Sequence, residues 1–402
     1  MTSGCRGYPT TASSTRGRSS RAEPSSEGCS RLRGEMIRIN FMGDVMFGEL
    51  LENYRRGLGT ALERRGIDPF EHAAPVLKRA HLNVVNLECV FSDRSMRKKP
   101  FSDILVSPSK FVIHLVESNI NIVNTANNHA LDHGREAFEG SLELLAHHGI
   151  KTIGYRKNSF FQEEPAVMEL EGRKIGFLGY NISNFPDEDK KRRIARIAGV
   201  VKGIRPSLDT IVVSMHWGEE YTNIPPPYVV AFGRELLEAG CDIIHGHHSH
   251  RIQGVLRDGG RIFAPSLGNF VFDQMVDENR LTAILQVEIR DGELDFRYSP
   301  YYMNDLYQPV PAPLHEGYIG KIDGLLAECW EEGRAALHEE AVRKMVEEGH
   351  RKNRLRMRTR MLSHFWDYLP YTAGLLSLAF GNERLFSVIG GEEEGRVAAD
   401  DG

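Results

Sequence analysis

The sequence predicts an α/β protein with largely parallel sheets and helices outside, and three observations predict it. Short apolar runs rich in Ile and Val alternate with helical patterns from Met36 onward. Each main run ends in a residue able to bind a metal or another polar ligand. The window 245–250, HGHHSH, places four of the chain's 16 histidines directly behind one such run.

The runs are 36–42, 82–87, 120–125, 209–215, 241–245 and 261–266. Between them lie helical patterns at 134–148 and 227–239, the second closed by Gly240 as a C-cap. Segments 166–170 and 174–180, joined by Glu171, Gly172 and Arg173, read as a β-hairpin. Helices between strands place crossover connections outside a parallel sheet.

The flanks differ in kind. Residues 1–35 hold six arginines, three glutamates and Leu32 as their one large aliphatic, too little to form a core, so they read as disordered; Met36 is a sensible alternative start. After Pro309, Pro311 and Pro313 the chain turns helical and then basic, forming a C-terminal extension over 312–390 beyond a main domain at 36–311. A basic helix running into an aromatic and aliphatic stretch, 343–380, can lie on an anionic membrane or a partner protein; a helical subdomain packed on the main domain is the favoured reading. Residues 391–402 read as a disordered acidic tail.

Composition narrows the function. A formal charge of −5 argues against a general nucleic-acid binder. Five widely spaced cysteines without a Cys-x-x-Cys pair suit a reducing compartment. No apolar run approaches a membrane span or a secretory core, which leads to an expectation of a cytoplasmic protein.

The polar residues at the strand ends carry the chemistry. Asp44 follows the first run, Glu88 the second, and Asn127, Asn128 and His129 the third. His216 follows the fourth, the histidine cluster the fifth, and Asn269 and Asp273 the sixth. In open α/β sheets the ligand crevice lies at the carboxyl ends of the strands, so these loops can converge. Neutral imidazole is a common ligand for zinc-like cations, and residues two apart on an extended chain point the same way, so His248 with His250, or His245 with His247, can bind together. Blander readings exist for each: Asp44 as a turn residue, Asn127 and Asn128 as helix caps, His216 as a core histidine. Glu88 behind a buried strand needs a cation or a hydrogen-bond partner.

The motifs GDVMFG (43–48), NLE (86–88), ANNHALDHG (126–134), HWGEEY (216–221), GHHSH (246–250) and SLGNFVFD (266–273) together resemble the ordered series of the CapA family. These are bacterial capsule-synthesis proteins tied to poly-γ-glutamate, on the calcineurin-like metallophosphoesterase fold. The resemblance runs from about residue 36 to about residue 309. It implies a four-layer α/β/β/α sandwich with the site where two sheets meet. It also implies one or two divalent ions, Mn, Zn or Fe, held by Asp44, Glu88, Asn128, His216, His248 and His250, with His247 as the alternative to His248. His129, beside Asn128, would be the catalytic acid. Four departures stand out: Met46 occupies a histidine ligand's position, Glu88 replaces an aspartate, the final histidine motif carries an extra residue, and Ser249 stands where proline is usual. The implied function is metal-dependent hydrolysis of a phosphoester or γ-glutamyl amide in capsule synthesis; the alternative is a non-catalytic assembly component. The implied partners are an anionic small-molecule or polymer substrate and other capsule-synthesis proteins. Arg94, Arg97, Lys98 and Lys99 can meet such a substrate, while Trp217 and Tyr221 can wall the site.

Overall fold

A computed structural model describes residues 35–93 and 105–363. The basic stretch 94–100, most of the leader, the segment 364–380 and the acidic tail lie outside the described residues.

Two sheets face each other. Among the described residues the first contains β1 (Ile37–Val45), β2 (Leu82–Leu87), β5 (Ile122–Asn124) and β6 (Lys151–Ile153) in parallel, after the short β3 (Val90–Phe91) and β4 (Val106–Ser107) that pair only with each other. The second is built on β8 (Arg173–Asn181), β9 (Thr210–His216), β10 (Ile243–His247) and β12 (Arg261–Ala264), also parallel, with β7 (Ala166–Leu170) and β11 (Leu256–Asp258) as antiparallel edges. The first sheet continues beyond β1 through β14 (Leu281–Arg290), β15 (Glu293–Met303) and β16 (Pro309–Pro311), all antiparallel, and β13 (Asn269–Val271) pairs β1 alongside.

Both sheets have a parallel core as expected and are mixed at their margins: the first carries antiparallel strands on one side of β1, the second at both edges. The turn between β14 and β15 is Asp291-Gly292, both at positive φ as a type I′ hairpin requires. Two tightly joined antiparallel strands need no crossover helix, so the helix-strand alternation does not report them.

Alternation within strands decides the layers. Ile37, Ile39 and Phe41 of β1 meet Phe177, Val212, Ile243 and Ile262 of the second sheet in a dry inter-sheet core. The outer face of the first sheet is covered by α1 (Leu58–Arg65), α2 (Ala74–Leu77), α3 (Val112–Glu117) and α4 (Arg135–His147). The outer face of the second is covered by α5 (Asp187–Ile204) and α6 (Pro227–Glu238). Burying each large aliphatic or aromatic side chain contributes about 1.5–3 kcal/mol, and β9 does so on both faces, with Val212 inward and Ile211, Val213 and Met215 outward. This is a four-layer α/β/β/α sandwich.

The helical C-terminal extension is present as α7 (Glu316–Trp330) and α8 (Glu339–Ser363). Ile319 and Ile322 of α7 pack on Leu281 and Ala283 of β14, and Cys329 joins Val342 of α8 against Ile224 and Val230. This described part of the extension packs on the sandwich. Among the described residues no helix is long and apolar enough to cross a membrane.

One close approach fixes the end of β1. A Cβ at Gly43 would lie 1.8 Å from the Gly268 carbonyl oxygen, so no larger residue fits without separating two backbones. Gly43→Ala should cost about 3 kcal/mol or more, read as a fall in the urea unfolding midpoint; an unchanged midpoint would show that this approach does not constrain the fold.

Candidate metal centre

The site forms where the carboxyl ends of β1 and β10 meet across the seam between the sheets. The Asp44 amide donates to Gly268 O at 2.9 Å, pinning β1 to the loop before β13. On the other side a Cβ at Gly246 would lie 1.9 Å from Pro265 O, the carbonyl that also accepts the Trp217 indole N–H at 3.1 Å.

Around this seam Asp44, Glu88 and His216, all buried, each offer one ligand atom within 4.8 Å of the others. Asp44 sits inside the bulged end of β1, Glu88 one residue past β2, and His216 is the last residue of β9. Asn86, on β2, ties them together: its amide donates to Asp44 Oδ1 at 2.9 Å and to Glu88 Oε2 at 3.3 Å, and lies 3.5 Å from His216 Nδ1. Asn124 Nδ2 in turn donates to Asn86 Oδ1 at 3.1 Å and fixes that amide's orientation.

The two carboxyl groups are driven apart in proton affinity. Burial alone would raise Asp44, but the bond and charge of His247, the charge of His250 and the Asn86 amide hold it below the usual range. Glu88 is raised well above it, first by burial and then by the charges of Asp44, Glu220 and Asp132. Burial pushes His216 well down, with the neighbouring imidazoles adding to the shift, and pushes His248 down to about 4. Both rings are neutral at physiological pH, the form that binds metal.

The histidine cluster divides by depth and backbone conformation. His245 belongs to the packing: its Nε2–H donates to Met42 O at 2.7 Å and its Nδ1 lies 3.3 Å from Ser214 Oγ. His247, two residues further out on β10, puts Nδ1 3.1 Å from Asp44 Oδ1. His248 and His250 have φ of 94° and 57°, so they do not project in parallel as an extended chain would require. The His248 ring lies 4.7 Å from that of His216, while His250 Nδ1 lies 2.9 Å from Asn269 Oδ1 and 3.8 Å from Asp44 Oδ2. Glu88 Oε1, His247 Nε2 and His248 Nδ1 are buried with no hydrogen-bond partner. Each such group costs about 1–3 kcal/mol when left unsatisfied, and a cation would satisfy several at once. The donor set of carboxylate, carboxamide and imidazole suits Mn, Fe or Zn.

At the rim, Asn128 bridges two imidazoles, accepting from His216 Nε2 at 2.8 Å through Oδ1 and donating to His129 Nε2 at 3.0 Å. With the amide so oriented, His129 carries its proton on Nδ1, which donates to Asp132 Oδ2 at 2.7 Å. His129 Nε2 lies 3.8 Å from Glu88 Oε1. Neither asparagine caps a helix: Gly134 is the N-cap of α4, and Asn127 Oδ1 accepts the His129 amide instead.

Several residues at the strand ends do other work. Asp273 takes no part in the site: its Oδ2 and Oδ1 accept the amides of Leu50 and Leu58 at 2.8 Å each, securing the loop before α1. Met46 is fully buried in the outer core of the first sheet, where its sulfur accepts the Gly48 amide at 2.8 Å. Trp217 is core, packed on Phe263, and walls nothing; Tyr221 does reach the site, its ring 6.1 Å from that of His250. Sequence reasoning missed Asn86, Asn124 and Glu220. Burial alone would raise Glu220, but His250, His248, His350 and His129 hold it below the usual range. The NLE and WGEEY motifs contain Asn86 and Glu220, and Asn124 is inside the third run.

The sequence model described as "Bacterial capsule synthesis protein PGA_cap" matches residues 38–274. The chain is 26% identical over 292 residues to the PGA biosynthesis protein CapA of Bacillus subtilis (strain 168), a match covering 70% of this chain and 74% of that protein. It is 29% identical over 280 residues to the capsule biosynthesis protein CapA of Bacillus anthracis, covering 64% and 65%. Among solved structures, a hypothetical protein from Thermus thermophilus superposes with a TM-score of 0.42 at 16% identity, covering 66% of this chain and 98% of that one.

Purified protein should carry a divalent ion by elemental analysis, and Asp44→Ala or His216→Ala should lose it while circular dichroism stays unchanged. Wild-type metal content in both variants would remove these residues from the centre. Asp273 gives a separate expectation, because burial raises it to about 8 despite its two amide bonds. The folded chain then keeps a proton that the unfolded chain releases near pH 4, so this contribution is full below pH 4 and declines as pH rises towards 8. Between pH 5 and 7 the stability of wild type relative to Asp273→Asn should fall by about 1.4 kcal/mol per pH unit in urea titrations; a constant difference would place the group in its ordinary range.

Proposed function

This chain belongs to the bacterial capsule synthesis PGA_cap family, and from that premise we propose that it is a metal-dependent hydrolase serving capsule, or poly-γ-glutamate, biosynthesis. The bond cleaved is a phosphoester or a γ-glutamyl amide, in an anionic small molecule or polymer. The observation that carries the reading is the buried Asp44, Glu88 and His216 group, with unsatisfied nitrogen and oxygen atoms around it and a hydrogen-bonded His129–Asp132 pair at its open edge.

Asp44, Glu88, Asn128 and His216 would hold the cation, with His247, His248 and His250 supplying further nitrogens. A divalent ion bound there would supply positive charge that acidifies water and offsets negative charge developing on the attacked group. Asn86 keeps the two carboxyl groups in place against their mutual repulsion. Asn128 sets the spacing of His216 and His129 through one amide. Asp132 holds the His129 ring in one tautomer and stabilises its imidazolium form, so Nε2 is the atom at which a proton is taken or given at a departing oxygen or nitrogen. That ring is a quarter exposed, which a group meeting substrate needs.

A second reading, a non-catalytic assembly component that keeps one metal, draws support from Met46, whose thioether is committed to the core where the wider superfamily has a histidine ligand. Capsule-synthesis partner proteins belong to either reading.

The two separate in one assay. Protein loaded with manganese or zinc is screened against phosphomonoesters, phosphodiesters and γ-glutamyl polymers. Turnover that falls about 10²–10⁴-fold in His129→Gln, with metal content intact, is the expected result. A fully loaded protein that turns over none of these classes would overturn the hydrolase reading in favour of the assembly role.

A further inference from the structure

Helix α8 is an unusual helix in this fold. It is 25 residues long, yet only Val342 and Gly349 are buried among its described side chains. Its first turns pack Ala341, Val342, Met345 and Val346 on Ile224, Val230 and Cys329, and beyond Val346 it is held by polar contacts, several of them at the metal centre's rim. Gly349 lies so close to Tyr221 that a Cβ there would come 2.3 Å from the tyrosine Cβ and 2.8 Å from its Cγ. One turn on, Asn353 Nδ2 donates to the Tyr221 hydroxyl at 3.0 Å. Between them His350 sets its ring edge-on to Tyr221 at 5.1 Å and its Nδ1 4.0 Å from Glu220 Oε2. Lys352 pairs with Glu278 at 2.9 Å, and Arg356 lies 3.5 Å from Glu52, tying the same helix to two further loops.

Tyr221 is the residue these contacts restrain, and its backbone needs restraint. Its φ is 64°, a conformation that side-chain-bearing residues seldom adopt, and its amide donates to Ser249 O at 2.8 Å, inside the histidine loop. Its ring lies nearly parallel to His250, with 30° between the planes, and His250 in turn faces Asn269 and Asp44. An unbroken run of contacts therefore leads from the C-terminal extension to the centre.

We infer that α8 is a wall of the metal centre: Gly349 and Asn353 hold Tyr221 against the His250 ring, which makes these three positioning residues for a site built from the sandwich. The inference rests on reading the centre as a metal site. It gives the second half of α8, which buries no large side chain, a task beyond packing. Groups that orient a ligand from behind are commonly worth 10–100-fold in metal affinity.

The test uses the full chain, stripped with chelator and titrated with Mn²⁺ or Zn²⁺ by calorimetry. Asn353→Ala and Gly349→Leu should each weaken affinity about tenfold or more, and Asn353→Gln, which restores a donor, should recover part of it, with the melting temperature of the asparagine variants near wild type. Wild-type affinity in both Asn353→Ala and Gly349→Leu overturns the inference. If Gly349→Leu does not fold, the Asn353→Ala and Asn353→Gln pair decides. Should the wild type bind neither ion, the metal reading itself fails. The positional claim is then decided by NMR of the metal-free protein, where the His250 ring resonance, assigned with His250→Gln, must shift in Asn353→Ala; an unmoved resonance overturns it.

Discussion

Everything at the centre depends on two backbones being able to touch. Gly43 and Gly246 sit at the carboxyl ends of β1 and β10, and each lies against a carbonyl of the segment 265–268, with no room for a Cβ. That segment is the wedge between the sheets, and it accepts both the Asp44 amide and the Trp217 indole. The separation of the sheets at this point is therefore set by main-chain contact, which is stiffer than side-chain packing. Asp44 and His247, from different sheets, come within 3.1 Å because the two glycines let the backbones approach this closely.

Within that frame, carboxamide side chains hold the ligand groups in place. A ladder of carboxamides, Asn124 to Asn86 to Asp44 and Glu88, fills the floor. It lets two carboxyl groups and several imidazoles share a volume from which water is excluded. The shifts run in opposite directions: Asp44 is held below the usual carboxylate range, Glu88 is raised well above it, and burial pushes His216 and His248 down. The strained backbone at Tyr221, His248 and His250 is confined to the same neighbourhood, as expected where local conformation serves a site.

Much of this was legible from residue order alone, and the exceptions have physical causes. The runs ending at Glu88, His129, His216 and the histidine cluster were readable because apolar β-branched residues stop where the polar groups begin. His245 and His247 could not be separated, since a period of two puts both on one face and only depth in the sheet distinguishes a packed ring from an available one. His248 and His250 lie on a left-handed backbone that no residue type there announces. Asp273 resembled a site residue because a buried carboxylate that accepts main-chain amides carries the same sequence signature as one that binds metal. The β14–β15 hairpin carried its own signal, Asp291-Gly292 between alternating strands, but no helix separated its strands.

The topology has a consequence for biosynthesis. β1 is the first strand of the sandwich to be made, and it lies in the interior of its sheet, with β2 on one side and β14 on the other. Its second edge stays open until residues 281–290 have emerged. Until then the chain carries an apolar strand with one open edge, which is a template for aggregation unless it is shielded. Closure of the fold is thus tied to the last third of the chain, and the open edge must be shielded until that hairpin is made.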